Sequence, residues 1–254
     1  DSLAFIGKVG VKNFVLNEAW TPMNVPASYG ILPMIIGSLL ITAMSCIAAV
    51  PVSIMVACYL AFDCPKNIYR ILKPALNLMT GIPSIVYGFF ALTVIVPINR
   101  SLFGGTGMNM LSAAILLLIM VLPTIISMAE ASLRTVPQSF YQGSLSLGAT
   151  HDETITRVMV PAAKSGIFAG IILGVGRAIG ETMAVVLVAG NQTRLTLNPL
   201  KGIRTMTTNI VMEMAYAAGE HRQALIATAA VLFIFILLIN IGFFIGKSRS
   251  ENNG

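Results

Sequence analysis

Five long apolar runs alternate with polar stretches along the chain, and each run has the length that a membrane-spanning helix needs. A helix crosses the hydrocarbon core of a bilayer with about 20 residues. Helices are expected because an unpaired backbone group is costly in lipid. The pattern therefore predicts an all-α, polytopic membrane protein with five visible transmembrane helices, over Ile31–Phe62, Pro74–Pro97, Met108–Met128, Gly166–Gly190 and Gln223–Gly246.

The first 30 residues are of mixed polarity and are interrupted by prolines and a glycine. Such a segment does not sustain a continuous apolar helix, so we expect residues 1–30 to form a loop or a surface helix outside the hydrocarbon. Aromatic residues are enriched where membrane meets water. We predict that interfacial position for Trp20 and Tyr29.

The composition agrees with a membrane protein. Hydrophobic residues make up 56% of the 254 residues and charged residues 10%, and the mean hydropathy is +0.84. A typical soluble domain carries about 25% charged residues. The net charge of +6 does not indicate nucleic-acid binding, because the basic residues occur singly beside apolar runs rather than in a block.

The basic residues also orient the predicted helices. Lys66, Arg70 and Lys73 follow the first apolar run on a short stretch, Asp63–Lys73, that we expect to be a loop. Basic loops of this kind remain in the cytoplasm. The resulting topology has a transmembrane domain over 31–246, outer segments at 1–30 and 191–222, a cytoplasmic loop at 131–165 and a cytoplasmic tail at 247–254.

A polar stretch of mixed charge, Val136–Pro161, separates the third and fourth runs. Pro137 suits the first turn of a helix, and Gly148 suits the left-handed turn that ends one. Thr150 and Glu153 have the spacing of a capping box, which predicts that a second helix begins there and ends before the final proline. The stretch is therefore expected to fold as helix, glycine turn and helix.

Both predicted helices of this stretch have one apolar face at helical spacing. A compact helix–turn–helix with apolar faces is suited to bind in a groove on a partner protein. The alternative is an ordinary loop that only connects two membrane helices. The face-forming residues are Phe140, Ser144 and Leu147 in the first helix and Ile155, Val158 and Met159 in the second.

The fourth run carries two charges, Arg177 and Glu181, near its middle. A charge in lipid costs about 2.5–3.5 kcal/mol on insertion scales, so both side chains should face protein or water. They are four residues apart and can pair along a helix. A buried pair that only fixes the position of the helix is the alternative to a functional site.

Glycines surround these two charges. Small residues at intervals of four let neighbouring membrane helices approach closely. We expect two packing ridges on this helix, the first formed by Gly166, Gly170 and Gly174 and the second by Gly176 and Gly180.

The loop resembles the cytoplasmic loop of ABC importer permeases, which has Glu-Ala-Ala, three residues, Gly, nine residues and Ile-x-Leu-Pro. The glycine and the proline agree, but a glutamine replaces the leading glutamate and both alanines are replaced. The resemblance implies that an ATPase subunit docks here and adds to the docking surface the residues Gln142, Gly143, Ser144, Gly148, Val158 and Pro161.

A second resemblance concerns the segment Gly176–Thr182, GRAIGET, which is similar to the signature of phosphate ABC transporter permeases of the PstC type. Several further segments match that type in order and span most of the chain. They are Trp20–Pro22 and Tyr29–Pro33 before the first run, Gly81–Gly88 in the second, and Gly190–Asn191 after the fourth. Six membrane helices are usual in this family, so we expect another one upstream of Asp1.

The resemblance implies passage of inorganic phosphate, and the two charges suit that anion. Arginine offers a planar fork of donors that matches an oxyanion, so we expect Arg177 to contact it. Phosphate keeps a hydroxyl near neutral pH and sulfate does not. A carboxylate at Glu181 would accept that proton and repel sulfate, or it would only hold Arg177 in place. Thr182 is a candidate on polarity.

The family resemblance implies four kinds of partner, namely a PstA-like second permease, a pair of PstB-like ATPase subunits, a periplasmic phosphate-binding protein and the lipid bilayer of the bacterial inner membrane. The chain itself shows no nucleotide-binding loop, since Gly242–Ser248 has one residue too few between its glycines. We expect no catalytic residue, metal or cofactor.

Alternatives remain at this stage. The chain could be a permease for another oxyanion, such as sulfate, molybdate or phosphonate. It could also be an intramembrane enzyme that uses Arg177 and Glu181, although the sequence lacks the metalloprotease and serine hydrolase motifs. A phosphate sensor that signals without transport is the third alternative.

Overall fold

The computed structural model describes the backbone of residues 2–252 and the side chains of residues 5–242. The predicted tail 247–254 and most of the segment 242–248 lie outside the described side chains. The described chain is largely helical. In order, its elements are α1 Ser2–Val9, α2 Val11–Leu16, β1 Trp20–Thr21, β2 Ser28–Tyr29, α3 Leu32–Cys58, α4 Lys66–Gly81, α5 Ser84–Phe90, α6 Val96–Phe103, α7 Met110–Thr135, α8 Gln138–Ser146, α9 His151–Thr154, α10 Val160–Ala162, α11 Lys164–Gly180, α12 Met183–Val188, α13 Met206–Glu213 and α14 Gly219–Asn252.

The all-α, polytopic fold class is confirmed. Four described helical segments are long and apolar enough to cross a membrane, and a fifth is reached if the pair His151–Ala162 and Lys164–Gly180, bent by 72°, counts as one span. The four segments are Leu32–Asp63, Ser84–Phe103, Met110–Thr135 and Gly219–Gly242. The first predicted run corresponds to Leu32–Asp63, the third to Met110–Thr135 and the fifth to Gly219–Gly242.

The prediction for the second run, Pro74–Pro97, was wrong at both ends, because the apolar span covers Ser84–Phe103. The basic stretch expected to be a loop is the start of helix α4, and the apolar span begins at Ser84 instead of Pro74. Ile82 between them has an extended backbone, with φ −68° and ψ 129°. A residue before proline disfavours the helical region, so Pro83 separates the amphipathic α4 from the span that follows it.

The described chain has three turns of π-helix, of which Tyr59–Asp63 ends the helix begun by α3, while Ala91–Ile95 and Ile155–Met159 lie within continuing helices. A proline follows each turn two residues beyond its end. Proline lacks an N–H and its ring clashes with the carbonyl four residues earlier, and a wider turn relieves that crowding. The second helix of the loop therefore continues through Pro161 to Ala162, and the prediction that it ends before Pro161 was wrong.

By internal contacts the chain divides into two compact units, each built from separate stretches. The first unit comprises Asp1–Ser45, Pro83–Leu117 and Ala178–Ile239, and the second comprises Cys46–Ile82, Leu118–Arg177 and Asn240–Gly254.

The core of the first unit gathers aromatic residues from the N-terminal segment. Trp20 and Tyr29, which pair across the hairpin of β1 and β2, are 5% and 9% exposed and pack edge to face with centroids 6.2 Å apart. Phe5 and Phe14 belong to the same cluster. Both rings therefore serve as core of this unit, and their position relative to the membrane stays a prediction.

The core of the second unit packs α7 against the end of the polar loop and the start of α11. Its buried members are Ala57, Ala129, Leu133, Val136, Met159, Ala163 and Ile167.

Candidate functional site

The predicted fourth span is not one continuous helix. Helix α11 ends at Gly180, the short helix α12 begins at Met183, and Glu181 with Thr182 forms the break. The Glu181 carboxylate accepts two backbone N–H groups through its Oε1 atom, from Thr182 at 3.1 Å and from Ala184 at 3.1 Å. These amides belong to the first turn of a helix and have no helical carbonyl to pair with. Glu181 therefore stabilises the break itself.

A distant segment supports the same break. The Thr207 hydroxyl donates to the Glu181 carbonyl oxygen at 3.0 Å, and the Thr182 hydroxyl donates to the Gly180 carbonyl oxygen at 3.2 Å. Glu181 is 9% exposed and Thr182 is half-buried. Glu181 and Thr182 thus form an interruption of the helical backbone. Inside a membrane, non-helical backbone is tolerated where it is buried in protein or lines a cavity.

Arg177 lies one turn before the end of α11 and is half-buried. Its Nη1 donates to the Thr124 hydroxyl of α7 at 3.4 Å, a long bond. Within the described part of the chain Arg177 forms no ion pair. Most of its five donors are therefore available to an anion.

The glycines of α11 divide into two groups. A Cβ atom on Gly166 would lie 2.2 Å from the Ser132 hydroxyl oxygen, and on Gly170 it would lie 2.8 Å from the Met128 Cβ. Gly174 is equally close to Ile125 of the same helix, α7. Gly176 and Gly180, in contrast, have nothing within 4 Å of such an atom.

The polar loop folds as helix, glycine turn and helix, and its local signals are confirmed. Pro137 is the N-cap of α8, and Gly148 has the left-handed φ of 89° that a side chain would strain. Thr150 and Glu153 form both bonds of the capping box. Phe140 in α8 is 51% exposed and Leu147, the C-cap residue of α8, is 91% exposed, so α8 and its C-cap expose an apolar surface.

The remaining loop residues divide between surface and core. Gln142, Gly143, Gly148 and Pro161 are exposed, while Ser144 and Val158 are half-buried. Ile155, predicted on the docking surface, is only 5% exposed. It lies in the π turn and packs inward, so it supports the loop from within the chain.

Sequence reasoning missed the contacts that hold the loop in place. The Tyr141 ring stacks on Phe62 with centroids 6.2 Å apart, and its hydroxyl is 2.6 Å from His151 Nδ1. The other ring nitrogen of His151 is 2.6 Å from the Asp63 carboxylate. The only sequence signal was the presence of two polar residues, Asp63 and His151, next to apolar runs, and their separation of 88 positions hides the pairing.

The arrangement of spans, broken helix and exposed loop defines a class of protein, the type I ABC importer permease, and solved structures share its fold. A chain of the inward-facing MetNI methionine ABC transporter has a TM-score of 0.69 at 18% identity, and the comparison covers 87% of this chain and 95% of that one. A chain of a bacterial ABC transporter that imports alginate has a TM-score of 0.65 at 14% identity, covering 86% of this chain and 79% of that one.

The chain belongs to the family of binding-protein-dependent transport system inner membrane components, whose model matches residues 49–248. It is therefore a component of a transporter in the inner membrane and not an enzyme. Membership also implies a substrate-binding protein and an ATPase as partners.

Two curated relatives match most of the chain. The probable ABC transporter permease protein YqgH of Bacillus subtilis is 36% identical over 92% of this chain and 82% of its own length. The phosphate transport system permease protein PstC of Mesorhizobium japonicum is 33% identical over 89% of this chain and 75% of its own length.

Proposed function

We propose that this chain is the membrane-spanning subunit of an ATP-driven importer that passes inorganic phosphate into the cytoplasm. The observation that carries the proposal is the similarity, over most of the chain, to permeases named for phosphate transport. The proposed partners are a PstA-like second permease, a PstB-like ATPase dimer and a periplasmic phosphate-binding protein. In this orientation the loop 131–165 faces the cytoplasm.

Arg177 is the proposed contact for the anion. A guanidinium that is half-buried, unpaired with any described carboxylate and held only by a 3.4 Å bond to Thr124 retains donors for an oxyanion. Losing a hydrogen bond to a charged group costs about 1.5–3 kcal/mol, which corresponds to roughly a tenfold to hundredfold change in an equilibrium.

The test is uptake of labelled phosphate by the complete transporter in vesicles. We expect Arg177→Ala to reduce uptake by about tenfold or more, and Arg177→Lys to retain part of it, because the charge remains but the planar fork is lost. Arg222→Lys is the matched control, since Arg222 is exposed and lies outside the site. Normal uptake in both Arg177 variants would exclude Arg177 as the anion contact.

Glu181 is proposed to reject anions that have no proton to donate. Its Oε1 atom is occupied by two backbone N–H groups, and a glutamine side-chain oxygen can accept the same bonds. Glu181→Gln should therefore preserve the break between α11 and α12 while removing the charge. If charge rejects sulfate, this variant admits sulfate and keeps phosphate uptake. Unchanged exclusion of sulfate would leave Glu181 with a structural role alone.

The exposed apolar surface of α8 is proposed to dock on the ATPase. Leu147→Ala and Phe140→Ala should weaken copurification of the ATPase and lower phosphate uptake together, because both side chains would leave water on docking. Leu197→Ala is a matched control, since Leu197 is 76% exposed and lies in the segment 191–222. Equal ATPase retention in all three variants would contradict docking through α8.

A further inference from the structure

Helix α4 is amphipathic and lies between two membrane spans along the chain, and none of its residues is buried. One stripe of the helix is polar and the opposite stripe is apolar. The polar stripe is formed by Lys66, Arg70, Lys73 and Asn77, and the apolar stripe by Ile68, Ile71, Leu72, Ala75 and Leu78.

The polar stripe is turned towards α7. Within it, the Lys73 ammonium is 2.6 Å from the Glu130 carboxylate, and the neighbouring Tyr69 hydroxyl donates to the same carboxylate at 2.7 Å. The apolar stripe is consequently exposed, and Ile71 and Leu78 are 72% and 73% exposed. An amphipathic helix with basic residues and an exposed apolar face is typical of contact with a membrane surface.

A cavity of about 330 Å³ lies beside the start of α4. Three of its lining side chains are cations and none is a carboxylate. Its lining consists of Leu60, Ala61, Cys64, Lys66, Tyr69, Arg70 and Arg134.

Of the three cations that line the cavity, one is already paired with a carboxylate and two are not. Arg134 donates to Glu130 through Nε at 2.7 Å and to the Leu60 carbonyl oxygen through Nη2 at 2.6 Å. Lys66 and Arg70 are exposed and form no ion pair with any described residue. The cavity thus keeps an excess of positive charge at the end of a membrane span.

We propose that this cavity binds the phosphate group of an anionic phospholipid, with the acyl chains lying along the end of the Leu32–Asp63 span, which contributes Leu60 and Ala61 to the cavity. Basic pockets between membrane helices on the cytoplasmic side are suited to such headgroups, and guanidinium groups match phosphate geometry. Free inorganic phosphate has the same phosphate chemistry but has no acyl chains to lie along that span. The inference does not depend on which anion is transported.

The test measures binding of labelled phosphatidylglycerol and of labelled phosphatidylcholine to the purified full-length chain with its partner subunits in detergent. We expect a preference for phosphatidylglycerol that falls by roughly thirtyfold in the double variant Lys66→Gln, Arg70→Gln. The charge-conserving pair Lys66→Arg, Arg70→Lys should keep the preference. The double variant Lys12→Gln, Arg222→Gln removes the same charge elsewhere and should also keep it.

Competition with inorganic phosphate distinguishes the two sources of the phosphate group. We expect inorganic phosphate not to displace phosphatidylglycerol, because the acyl chains contribute to binding. An unchanged preference in the Lys66→Gln, Arg70→Gln variant would overturn the proposal. Binding of inorganic phosphate that is lost in this variant, with lipid binding unaffected, would also overturn it.

Discussion

Glu213 in the first unit and Glu130 in the second are buried carboxylates that each bind a cluster of polar side chains, and the two clusters differ in how exposed those side chains are. Glu213 in the first unit accepts the Trp20 indole N–H at 2.9 Å and also contacts Arg204 and His221. Its side chain is 8% exposed, and those of its charged or titratable partners are similarly buried, at 14% for Arg204 and 6% for His221. This cluster joins the N-terminal segment, the segment 191–222 and the start of α14.

Glu130 in the second unit has the same number of described partners but a wetter environment. Tyr69, Lys73 and Arg134 donate to it, and the side chains of the two cations are 26% and 45% exposed. Water can solvate these cations if the carboxylate is removed. The loss of stability on removing a buried charge therefore depends on how exposed its partner side chains are, and not only on the number of hydrogen bonds broken.

The largest effect is expected for Glu213→Gln. The variant leaves the buried Arg204 without its counter-charge, and breaking such a pair costs about 3–5 kcal/mol. The measurement is the free energy of unfolding of the purified chain in mixed micelles. Glu220→Gln is the control, because Glu220 pairs with Lys8 at the surface and surface pairs contribute about 0–1 kcal/mol.

A smaller effect is expected for Glu130→Gln, measured in the same way. Lys73 and Arg134 are partly exposed and can rehydrate, so the loss should be about 1–3 kcal/mol. A loss as large as that of Glu213→Gln would show that exposure of the partners does not govern the cost, and the comparison would fail.

Tyr69→Phe tests one neutral donor of the Glu130 cluster. The change removes the hydroxyl that lies 2.7 Å from the carboxylate and keeps the ring, so about 0.5–1.5 kcal/mol should be lost. Tyr216→Phe serves as the control, since Tyr216 is 59% exposed. A stability gain in Tyr69→Phe would mean that the two cations alone satisfy Glu130.

The smallest effect is expected at a carboxylate on the surface of the polar loop, the half-buried Glu153 of the capping box. The backbone N–H of Thr150 donates to this carboxylate and lowers its pKa below the usual value. Because the folded-state pKa is the lower one, the stabilisation is present above the unfolded pKa and is lost as the pH falls through the folded pKa.

Glu153→Gln isolates this pH effect, because glutamine also completes a capping box. The melting temperature of the parent chain should fall slightly more than that of the variant as the pH is lowered through the carboxylate range. Identical pH profiles for the two chains would exclude a contribution from the charge of Glu153.

The parts of the fold that follow from local signals could be predicted from the sequence. Helices α3, α7 and α14 follow from apolar runs, and the turn at Gly148 and the capping box at Thr150 follow from residues within four positions of one another. Helix α4 was missed because its basic residues were interpreted as a topology signal, although they recur at helical spacing.

The break at Glu181 could not be predicted in the same way. Gly180 in the GRAIGET segment weakens the helix locally, but Gly176 does the same inside α11 without ending it. The interruption depends on a carboxylate that caps amides one and three residues ahead. A hydroxyl from Thr207 completes it across 26 positions. The clusters around Glu213 and Glu130 were missed for a related reason, because their members are separated by as many as 193 positions.

The π turns at Ala91–Ile95 and Ile155–Met159 change the angular phase of the helical residues that follow them. An added residue rotates all later positions by about 100° around the axis, so a helical wheel drawn straight through Ile155–Met159 assigns wrong faces beyond Val160. A one-residue deletion inside this turn would restore a uniform helix only if Pro161 were replaced as well. Alignments that place a gap there without a change at the proline would therefore pair residues from different sides of the helix.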